Sequence, residues 1–406
     1  MGRRAIIIGA GITGTLTAVR LKRDGWDVVL VEARHVGAGS SSRSAACIRQ
    51  QFSTPETVLG MRYSVDVYRR FPEEVGGRVV PIVENGYLFL LDGEQAVEAA
   101  RGRVAMQREW GLEEVELLDA AETARRFPFV DGAAITGATW CPSDGFLRPE
   151  VVYGEASASA RTRGVRILQG APVTGARHAG GRLVAVKAGG EWLEGDLFVD
   201  ATNAWTARLA PVLGAAALPV LPVKRHLWFI VRGQGMTAAE LARVPMVISP
   251  RGAYCHPENA DTLMCGWALP VEPEPDFSDE DQDRILPAFD HRGGPDSLAF
   301  ETWLALAEVM PAIGDFAGIQ ATTCGFYGVT PDHNPFLGFD TQVPNLLRLV
   351  GFSGHGAMFG PFTARVAQAM AEAGQSVSSV TVLGRSASLD PFALERGFDG
   401  HEAMVI

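Results

Sequence analysis

The length, composition and charge of this chain exclude several classes of protein. Its 406 residues are 47% hydrophobic and 20% charged, which is typical of a globular protein large enough for two domains. The formal net charge of −11, without a basic stripe, argues against a nucleic-acid partner. The five cysteines contain no CxxC spacing, so we predict neither a disulfide framework nor a metal site. No apolar run is long enough to cross a bilayer, and the first predicted strand begins at residue 5. We therefore expect a cytoplasmic protein without a signal peptide or membrane span.

The opening segment AIIIGAGITG, residues 5–14, is the strongest motif of the chain. It predicts a buried strand, a tight turn and a helix, followed by a second strand that ends at Glu32. Gly9 makes the turn, Gly11 lets the backbone approach a pyrophosphate, and Gly14 lets the helix pack close to the strand. The helix N-terminus offers free N–H groups to phosphates. Glu32 is placed to bind a ribose and disfavours a 2′-phosphate, so the motif predicts a dinucleotide other than NADP. A glycine-rich turn without a ligand is the alternative.

The remaining elements follow in chain order. After a loop of small residues at 33–52, the patterns predict helices at 56–71, 94–110, 119–126 and 148–163, strands at 79–91 and 165–170, and a hairpin with a buried strand at 182–202. Beyond these, we predict an antiparallel sheet at 216–275, a solvated acidic loop at 272–283, a helix at 297–311, and a strand, glycine loop and helix at 346–374.

Four segments in a fixed order carry a resemblance to a known family. After GAGITG come LFVDATNAWTARLA, TPDHNPFLG and GFSGHGAMFGP, and together they resemble the FAD-dependent amine and amino-acid oxidoreductases. That group includes glycine oxidase, sarcosine oxidase and D-amino-acid dehydrogenase. The resemblance is to the sarcosine oxidase β-subunit and glycine oxidase branch in two segments, GAGSSSRSAACIRQQF and GFSGHG. The resemblance spans nearly the whole chain and implies bound FAD. A second dinucleotide fingerprint is absent from the sequence, so we expect no NAD(P)H-binding domain.

The predicted fold class is mixed α/β and α+β, because the nucleotide-binding pattern returns at 148–215 and again near 316–375. We predict a discontinuous Rossmann-type FAD-binding domain interwoven with an antiparallel-sheet domain for the substrate. The FAD-binding domain is predicted at 1–78, 148–215 and 316–406, and the substrate domain at 79–147 and 216–315.

Small residues in three segments suit a flavin dinucleotide. Residues 200–205 turn sharply after a strand, and residues 37–44 offer N–H groups and hydroxyls. Residues 354–356 precede a helix predicted to begin near Met358, whose N-terminus would face the flavin pyrimidine; a plain strand-to-helix turn is the alternative. The predicted FAD contacts are Gly9, Ala10, Gly11, Ile12, Thr13, Gly14, Glu32, Ala33, Arg34, Gly39, Ser40, Ser41, Ser42, Arg43, Ala46, Val173, Ala201, Thr202, Asn203, Trp205, Gly325, Tyr327, Phe352, Ser353, Gly354, His355, Gly356 and Met358.

The resemblance implies hydride transfer from the carbon next to an amine to flavin N5, and hydrolysis of the imine. An amino-acid substrate needs a partner for its carboxylate, and Arg49 matches an active-site arginine of the sarcosine-oxidase-like enzymes. A structural or surface ion-pair arginine is the alternative. Predicted catalytic residues are Arg49, His355, Tyr254 and Tyr327; predicted substrate-binding residues are Arg49, Gln51, Tyr254, His256, Tyr327 and Met358. For His355 we expect the backbone to matter more than the ring.

Three positions depart from the family pattern. Met358 stands where monomeric sarcosine oxidases carry a carboxylate-binding lysine. Met264 stands where those oxidases keep a lysine that promotes reaction with oxygen, so the acceptor is oxygen or another molecule. Cys324 lies one residue from the cysteine that links FAD in some relatives, with Gly325 in that place, and the loop that carries a linking histidine in others reads GSSSRS here. We therefore expect non-covalent FAD.

The leading hypothesis is oxidation of an amino acid or secondary amine, such as an N-substituted glycine, by an FAD-dependent oxidase or dehydrogenase. A D-amino-acid or proline-type dehydrogenase with a non-oxygen acceptor is a close variant. A non-catalytic flavoprotein that assists complex assembly is a second hypothesis, since residues 50–53 read QQFS as in mitochondrial relatives. An NAD-dependent dehydrogenase is the third, and predicts a colourless protein.

Overall fold

The structure, a computed structural model, describes residues 2–267, 281–398 and 400–404. The strands in these ranges are β1 (Arg4–Ile8), β2 (Asp27–Val31), β3 (Cys47–Ile48), β4 (Ile82–Val83), β5 (Tyr87–Leu91), β6 (Glu116–Asp119), β7 (Gly137–Cys141), β8 (Gly145–Leu147), β9 (Arg166–Leu168), β10 (Val173–Ala179), β11 (Arg182–Ala188), β12 (Glu191–Glu194), β13 (Leu197–Asp200), β14 (Leu221–Val231), β15 (Met246–Ile248), β16 (Ala253–Asn259), β17 (Thr262–Trp267), β18 (Gly318–Val329), β19 (Phe336–Phe339), β20 (Leu346–Val350), β21 (Ser379–Val382) and β22 (Arg385–Ser388). The helices are α1 (Ile12–Arg23), α2 (Pro55–Arg69), α3 (Phe71–Glu74), α4 (Glu94–Glu109), α5 (Ala120–Arg126), α6 (Pro149–Thr162), α7 (Thr206–Leu213), α8 (Ala238–Leu241), α9 (Leu298–Ala307) and α10 (Gly356–Ala373).

A six-stranded sheet carries the N-terminal glycine motif. Its order is β19-β20-β13-β1-β2-β9, and every pair is parallel except β19 with β20. Successive side chains of β1 face opposite layers, as a strand requires. Ala5 and Ile7 join the core shared with the helices, whereas Ile6 and Ile8 join the core shared with the small antiparallel sheet of β10, β11 and β12. On the helical side, α1 packs against both α6 and α10.

An eight-stranded sheet forms the second part of the molecule. Its order is β18-β14-β17-β16-β15-β5-β7-β6, and its pairs are antiparallel except β15 with β5. One face carries Tyr254 and Met264 into the core shared with the parallel sheet and its helices. The other face carries Cys255 and Cys265 into a separate core with α9. The first face is therefore turned towards the nucleotide motif.

The mixed parallel and antiparallel architecture confirms the predicted fold class. The domain boundaries remain a prediction. Within the segment 316–406, β18 pairs along its length with β14 of the eight-stranded sheet, so a boundary placed after Val329 would follow the sheets more closely. The strand β10 was not predicted, and α10 begins at Gly356, two residues before the predicted start at Met358. None of the helices within the described ranges has the length and apolarity needed to span a membrane.

Candidate functional site

The glycine turn between β1 and α1 is shaped by contacts that only glycine permits. Gly9 has φ +103°, and a Cβ there would lie 2.6 Å from the Ala201 carbonyl oxygen. A Cβ at Gly14 would lie 1.9 Å from the Gly9 carbonyl oxygen. Gly11 caps α1 without any side-chain cap, and the N–H of Ile12 donates to Ser41 Oγ at 3.1 Å. The turn thus holds the start of α1 close to the end of β13.

Glu32 stands at the end of β2 with both carboxylate oxygens fixed by the backbone. Its Oε2 accepts a hydrogen bond from the Ala10 N–H at 2.9 Å, and its Oε1 accepts one from the Arg34 N–H at 3.0 Å. These contacts orient the carboxylate beside the glycine turn while leaving it partly exposed. An acceptor held in this way is suited to the hydroxyls of a ribose.

One cavity is lined by the glycine turn, by Glu32 and by the loop that leads into α10. The predicted FAD contacts among its lining residues are Gly9, Gly11, Ile12, Thr13, Glu32, Ala33, Arg34, Gly39, Ser40, Ser41, Val173, Ala201, Thr202, Asn203, Trp205, Tyr327, Phe352, Gly354 and Gly356. Ala38 and Ser44 also line the cavity and belong to the predicted segment 37–44, although they were not among the individual predicted contacts. The lining residues that sequence reasoning missed are Ile8, Val31, Ala171, Pro172, Arg208, Leu209, Gln282, Phe326 and Ala357. Segments separated by more than 300 residues therefore meet at one cavity.

The other predicted FAD contacts lie outside the lining. They are Ala10, Gly14, Ser42, Arg43, Ala46, Gly325, Ser353, His355 and Met358. Some support the wall from behind: the side chain of Arg43 covers Gly325, where a Cβ would lie 2.7 Å from Arg43 Cβ. Ala46 and Ser353 hold left-handed turns with φ of 47° each.

Gln282 is an unexpected part of the cavity wall. It belongs to the acidic loop at 272–283, which we predicted as a solvated surface segment, and residues 272–280 lie outside the described residues. Gln282 is buried, lines the cavity and donates from Nε2 to the Ala38 carbonyl oxygen at 2.7 Å. Asp283 beside it pairs with Arg43. The prediction was therefore wrong for Gln282, which is buried, whereas Asp283 is exposed as predicted.

The loop before α10 is held by a side chain that follows the neighbouring strand β13. Asn203, in a left-handed conformation with φ 50°, accepts hydrogen bonds at Oδ1 from the N–H groups of Gly351 and Phe352 at 3.0 and 3.1 Å. The first residues of α10, Gly356 and Ala357, line the cavity. The N-termini of α1 and α10 thus open on the same cavity, an arrangement that suits a diphosphate and a second site of negative charge. The residues present fit a flavin dinucleotide.

Comparison with known proteins agrees with this geometry. Residues 4–370 match the family described as FAD dependent oxidoreductase. The chain belongs to this family. Its cofactor is therefore FAD, and the cavity lined by the glycine turn, Glu32 and the start of α10 is the candidate site for it.

Two relatives and one solved structure show how far the likeness extends. FAD-dependent oxidoreductase domain-containing protein 1 of Xenopus laevis is 26% identical, over 91% of this chain and 79% of that protein. Human mitochondrial sarcosine dehydrogenase is 25% identical over 87% of this chain, which spans only 38% of that relative's length. The crystal structure of L-proline dehydrogenase from P. horikoshii superposes with a TM-score of 0.81 at 26% identity, covering 92% of this chain and 94% of that one.

Arg49, the predicted carboxylate partner, is buried and has no carboxylate of its own among the described residues. It is 1% exposed, and its guanidinium carbon stacks 4.0 Å from the centroid of the Phe52 ring. Its Nη1 donates to the Gln51 carbonyl oxygen and its Nη2 to the Met404 carbonyl oxygen, whereas the buried Nε has no acceptor. Burial lowers the pKa of Arg49, yet a guanidinium keeps its charge in proteins. The site therefore holds a positive charge that no direct ion pair with a described residue neutralises.

His355 lies behind the cavity wall and faces Arg49. Its Nε2 is 3.5 Å from Arg49 Nη2, and its ring meets Phe52 edge to face at 5.2 Å. Burial lowers the pKa of His355 well below its ordinary value, and the nearby Arg49 lowers it further. The imidazole is therefore neutral at physiological pH.

Tyr254 and Tyr327 meet on the inner face of the large sheet. Tyr327 covers Gly354, where a Cβ would lie 2.5 Å from its ring, and Tyr254 covers Gly266 in the same way at 2.4 Å. Burial raises the pKa of both phenols, so both stay protonated and can donate. Arg225, which sequence reasoning did not single out, has its guanidinium carbon 5.8 Å from the Tyr327 ring centroid.

The remaining predicted substrate residues do not all line the same space. Gln51 is buried and donates from Nε2 to Tyr87 O at 3.1 Å and to Asp144 at 3.2 Å. Met358 is buried in the first turn of α10. His256 instead lines a second cavity together with Met264, and burial lowers its pKa to about 4. The structure thus brings Arg49, His355 and Gln51 together, and Tyr254 with Tyr327, but places His256 apart.

Replacing Glu32 by Gln is expected to weaken FAD binding about 10- to 100-fold. Glutamine removes the negative charge, and its NH₂ group would face a backbone N–H that now donates to a carboxylate oxygen. Hydrogen bonds to charged groups contribute about 1.5–3 kcal/mol. Titration of FAD into apoprotein, followed by flavin fluorescence, measures the change. Glu94→Gln, at the exposed start of α4, should bind FAD like the unaltered protein. Equal affinity for FAD in the two variants would contradict the ribose-binding role.

Proposed function

We propose that this oxidoreductase oxidises the C–N bond of an amino acid or secondary amine, with an N-substituted glycine or related α-amino acid as substrate. The observation that carries the proposal is Arg49: a buried guanidinium without a carboxylate partner in the described ranges, next to the loop that begins α10. Two similar proteins point the same way, because they are named sarcosine dehydrogenase and L-proline dehydrogenase.

When bound, FAD supplies the hydride acceptor of the reaction. The protein's own contribution is positioning. Arg49 would hold the substrate carboxylate by two parallel N–H···O bonds, which fix both distance and orientation. The protonated hydroxyls of Tyr254 and Tyr327 border the same face of the sheet and can donate to polar atoms of the substrate. The N-terminus of α10 favours the negative charge that develops in its vicinity.

No side chain here is needed as a strong base. The amine must arrive neutral, and the nearby positive charge of Arg49 favours the neutral amine over its ammonium form. His355 is itself neutral and adds no further charge. Asp144, buried behind Gln51, has its pKa raised by burial to about 6. It accepts from the Gln50 N–H at 2.7 Å and supports the segment that carries Arg49.

The FAD is proposed to be bound without a covalent link. Cys324 is buried, and its Sγ contacts the carbonyl oxygens of Gln282 at 3.3 Å and Arg284 at 3.5 Å. Gly325, at the position of the linking cysteine in some relatives, faces Arg43. Acid precipitation of the purified protein should release all of the yellow colour into the supernatant.

Anaerobic reduction of the flavin tests the proposed reaction. Glycine, sarcosine, L-proline, D-amino acids and bulky N-alkylglycines are each added under nitrogen, and loss of the flavin absorbance is followed. We expect bleaching by at least one of these amines, and re-oxidation on admitting oxygen or adding an artificial acceptor then identifies the acceptor class. Bound FAD with no bleaching by any amine would sink the proposal and favour the non-catalytic assembly role.

A further inference from the structure

We propose that residues 401–404, here named the strap, form a gate over Arg49, and that Glu402 keeps this gate closed. The inference rests on the proposed function, because it names what a substrate carboxylate must displace. Arg49 is 1% exposed and lines neither of the two cavities described above, so in this closed state the described residues shield its guanidinium from solvent.

The strap occupies one edge of the Arg49 guanidinium. A carboxylate that binds an arginine side-on uses Nε and Nη2 together. In the structure Nη2 donates to the Met404 carbonyl oxygen, and Nε is buried with no acceptor. One backbone oxygen therefore occupies one of the two donor positions on this edge of the guanidinium. A carboxylate that replaced Met404 O would satisfy both donors, including the one that has no acceptor now.

Glu402 anchors the strap to the start of α2. Its Oε1 accepts from the Ser53 N–H at 2.8 Å, from the Ser53 hydroxyl at 2.6 Å and from the Met404 N–H at 3.0 Å. The Ser53 hydroxyl also accepts from the Ala403 N–H at 2.8 Å. Glu402 is 1% exposed, and a carboxylate at the N-terminus of a helix is stabilised by the helix dipole.

The backbone of Glu402 is fixed as well, to a residue of a buried ion pair. The N–H of Glu402 donates to the Asp332 carbonyl oxygen at 3.0 Å, and the side chain of Asp332 pairs with Arg396. Among the described residues, the strap is thus anchored to Ser53 and to Asp332, whereas its contact with Arg49 is one backbone carbonyl. Opening the gate needs movement of Met404 and not unfolding of the surrounding core.

Acetate binding to the FAD-loaded protein, measured by titration calorimetry, tests the gate. When a site is open for only a fraction of the time, its apparent Kd equals the Kd of the open site divided by that fraction. Glu402→Ala should therefore lower the acetate Kd at least threefold, and Ser53→Ala should lower it less. Glu395→Ala, an exposed acid outside the strap, should leave the Kd unchanged, and Arg49→Lys should weaken binding in every background.

Each outcome decides the proposal. An acetate Kd that is unchanged or higher in both Glu402→Ala and Ser53→Ala would overturn it, as would equal binding by Arg49→Lys or no binding by any variant. Thermal unfolding confirms that each variant is folded, and Ser53→Ala decides if Glu402→Ala does not fold. Acetate binding that depends on Arg49 and Glu402, in a protein whose flavin no amine bleaches, would keep the gate and reject the proposed function. If an amine bleaches the flavin but Glu402→Ala leaves the acetate Kd unchanged, the proposed function would stand and the gate would be rejected.

Discussion

Arg49→Lys is expected to lower kcat/KM for the amino-acid substrate about 100-fold. Lysine keeps the positive charge but loses the fork that binds both carboxylate oxygens, and charge-assisted pairs of this kind contribute about 3 kcal/mol. Most of the loss should fall on KM, with a smaller loss in kcat from poorer orientation. Anaerobic stopped-flow reduction of the flavin at several substrate concentrations separates the two.

The control for Arg49→Lys is a change of substrate. The amine that corresponds to the best substrate, but lacks its carboxylate, should be oxidised equally slowly by both proteins, within about twofold. FAD content should also match, because Arg49 lies outside the lining of the FAD cavity. If both substrates lose rate to the same extent, Arg49 is a structural residue and the carboxylate lies elsewhere, with Arg225 beside Tyr327 the next residue to test.

Gly9→Ala is expected to abolish FAD retention during purification. The residue has φ +103°, and an added Cβ would lie 2.6 Å from the Ala201 carbonyl oxygen and 2.9 Å from its carbon. Those atoms belong to the backbone at the end of β13, so they cannot rotate away as a side chain would. The turn must open, and the N–H groups at the start of α1 then move off the cavity. The ratio of flavin to protein absorbance should fall at least tenfold.

Gly25→Ala is a matched control for Gly9→Ala. Gly25 has φ +83°, but nothing lies within 4 Å of an added Cβ. Both substitutions pay the strain of a left-handed residue, roughly 1–2 kcal/mol, and only Gly9→Ala adds the collision. Gly25→Ala should therefore lose some thermal stability and keep its FAD. Equal loss of FAD in the two variants would attribute the effect to backbone strain alone.

Local patterns were sufficient where the physics is local. The turn at Gly9, the acid at Glu32 and the loop at Gly354 each depend on neighbours close in sequence or on a repeated chemical need, and all three line the cavity. The buried strand β1 was predicted for the same reason. The resemblance to FAD-dependent oxidoreductases rested on these segments, and the family match confirms it.

The contacts that sequence reasoning missed join residues far apart in the chain. Phe326 lines the cavity because β18 pairs with β14, about 100 residues earlier. Gln282 reaches the wall through Ala38, from 244 residues away. Arg49 meets Met404 across 355 residues. Hydrophobic periodicity carries no information about which distant strand is the partner, so none of these contacts could be read from a single sequence.

The strand order of the parallel sheet determines when the cofactor pocket can form during synthesis of the chain. β13 is synthesised about 170 residues after β1 and β2, and β20 begins only at residue 346. The cavity wall needs Gly356 and Ala357 as well. The nascent chain therefore has no complete cofactor pocket until Ala357 has been translated, and the vitamin-derived cofactor must be captured from solution after that point.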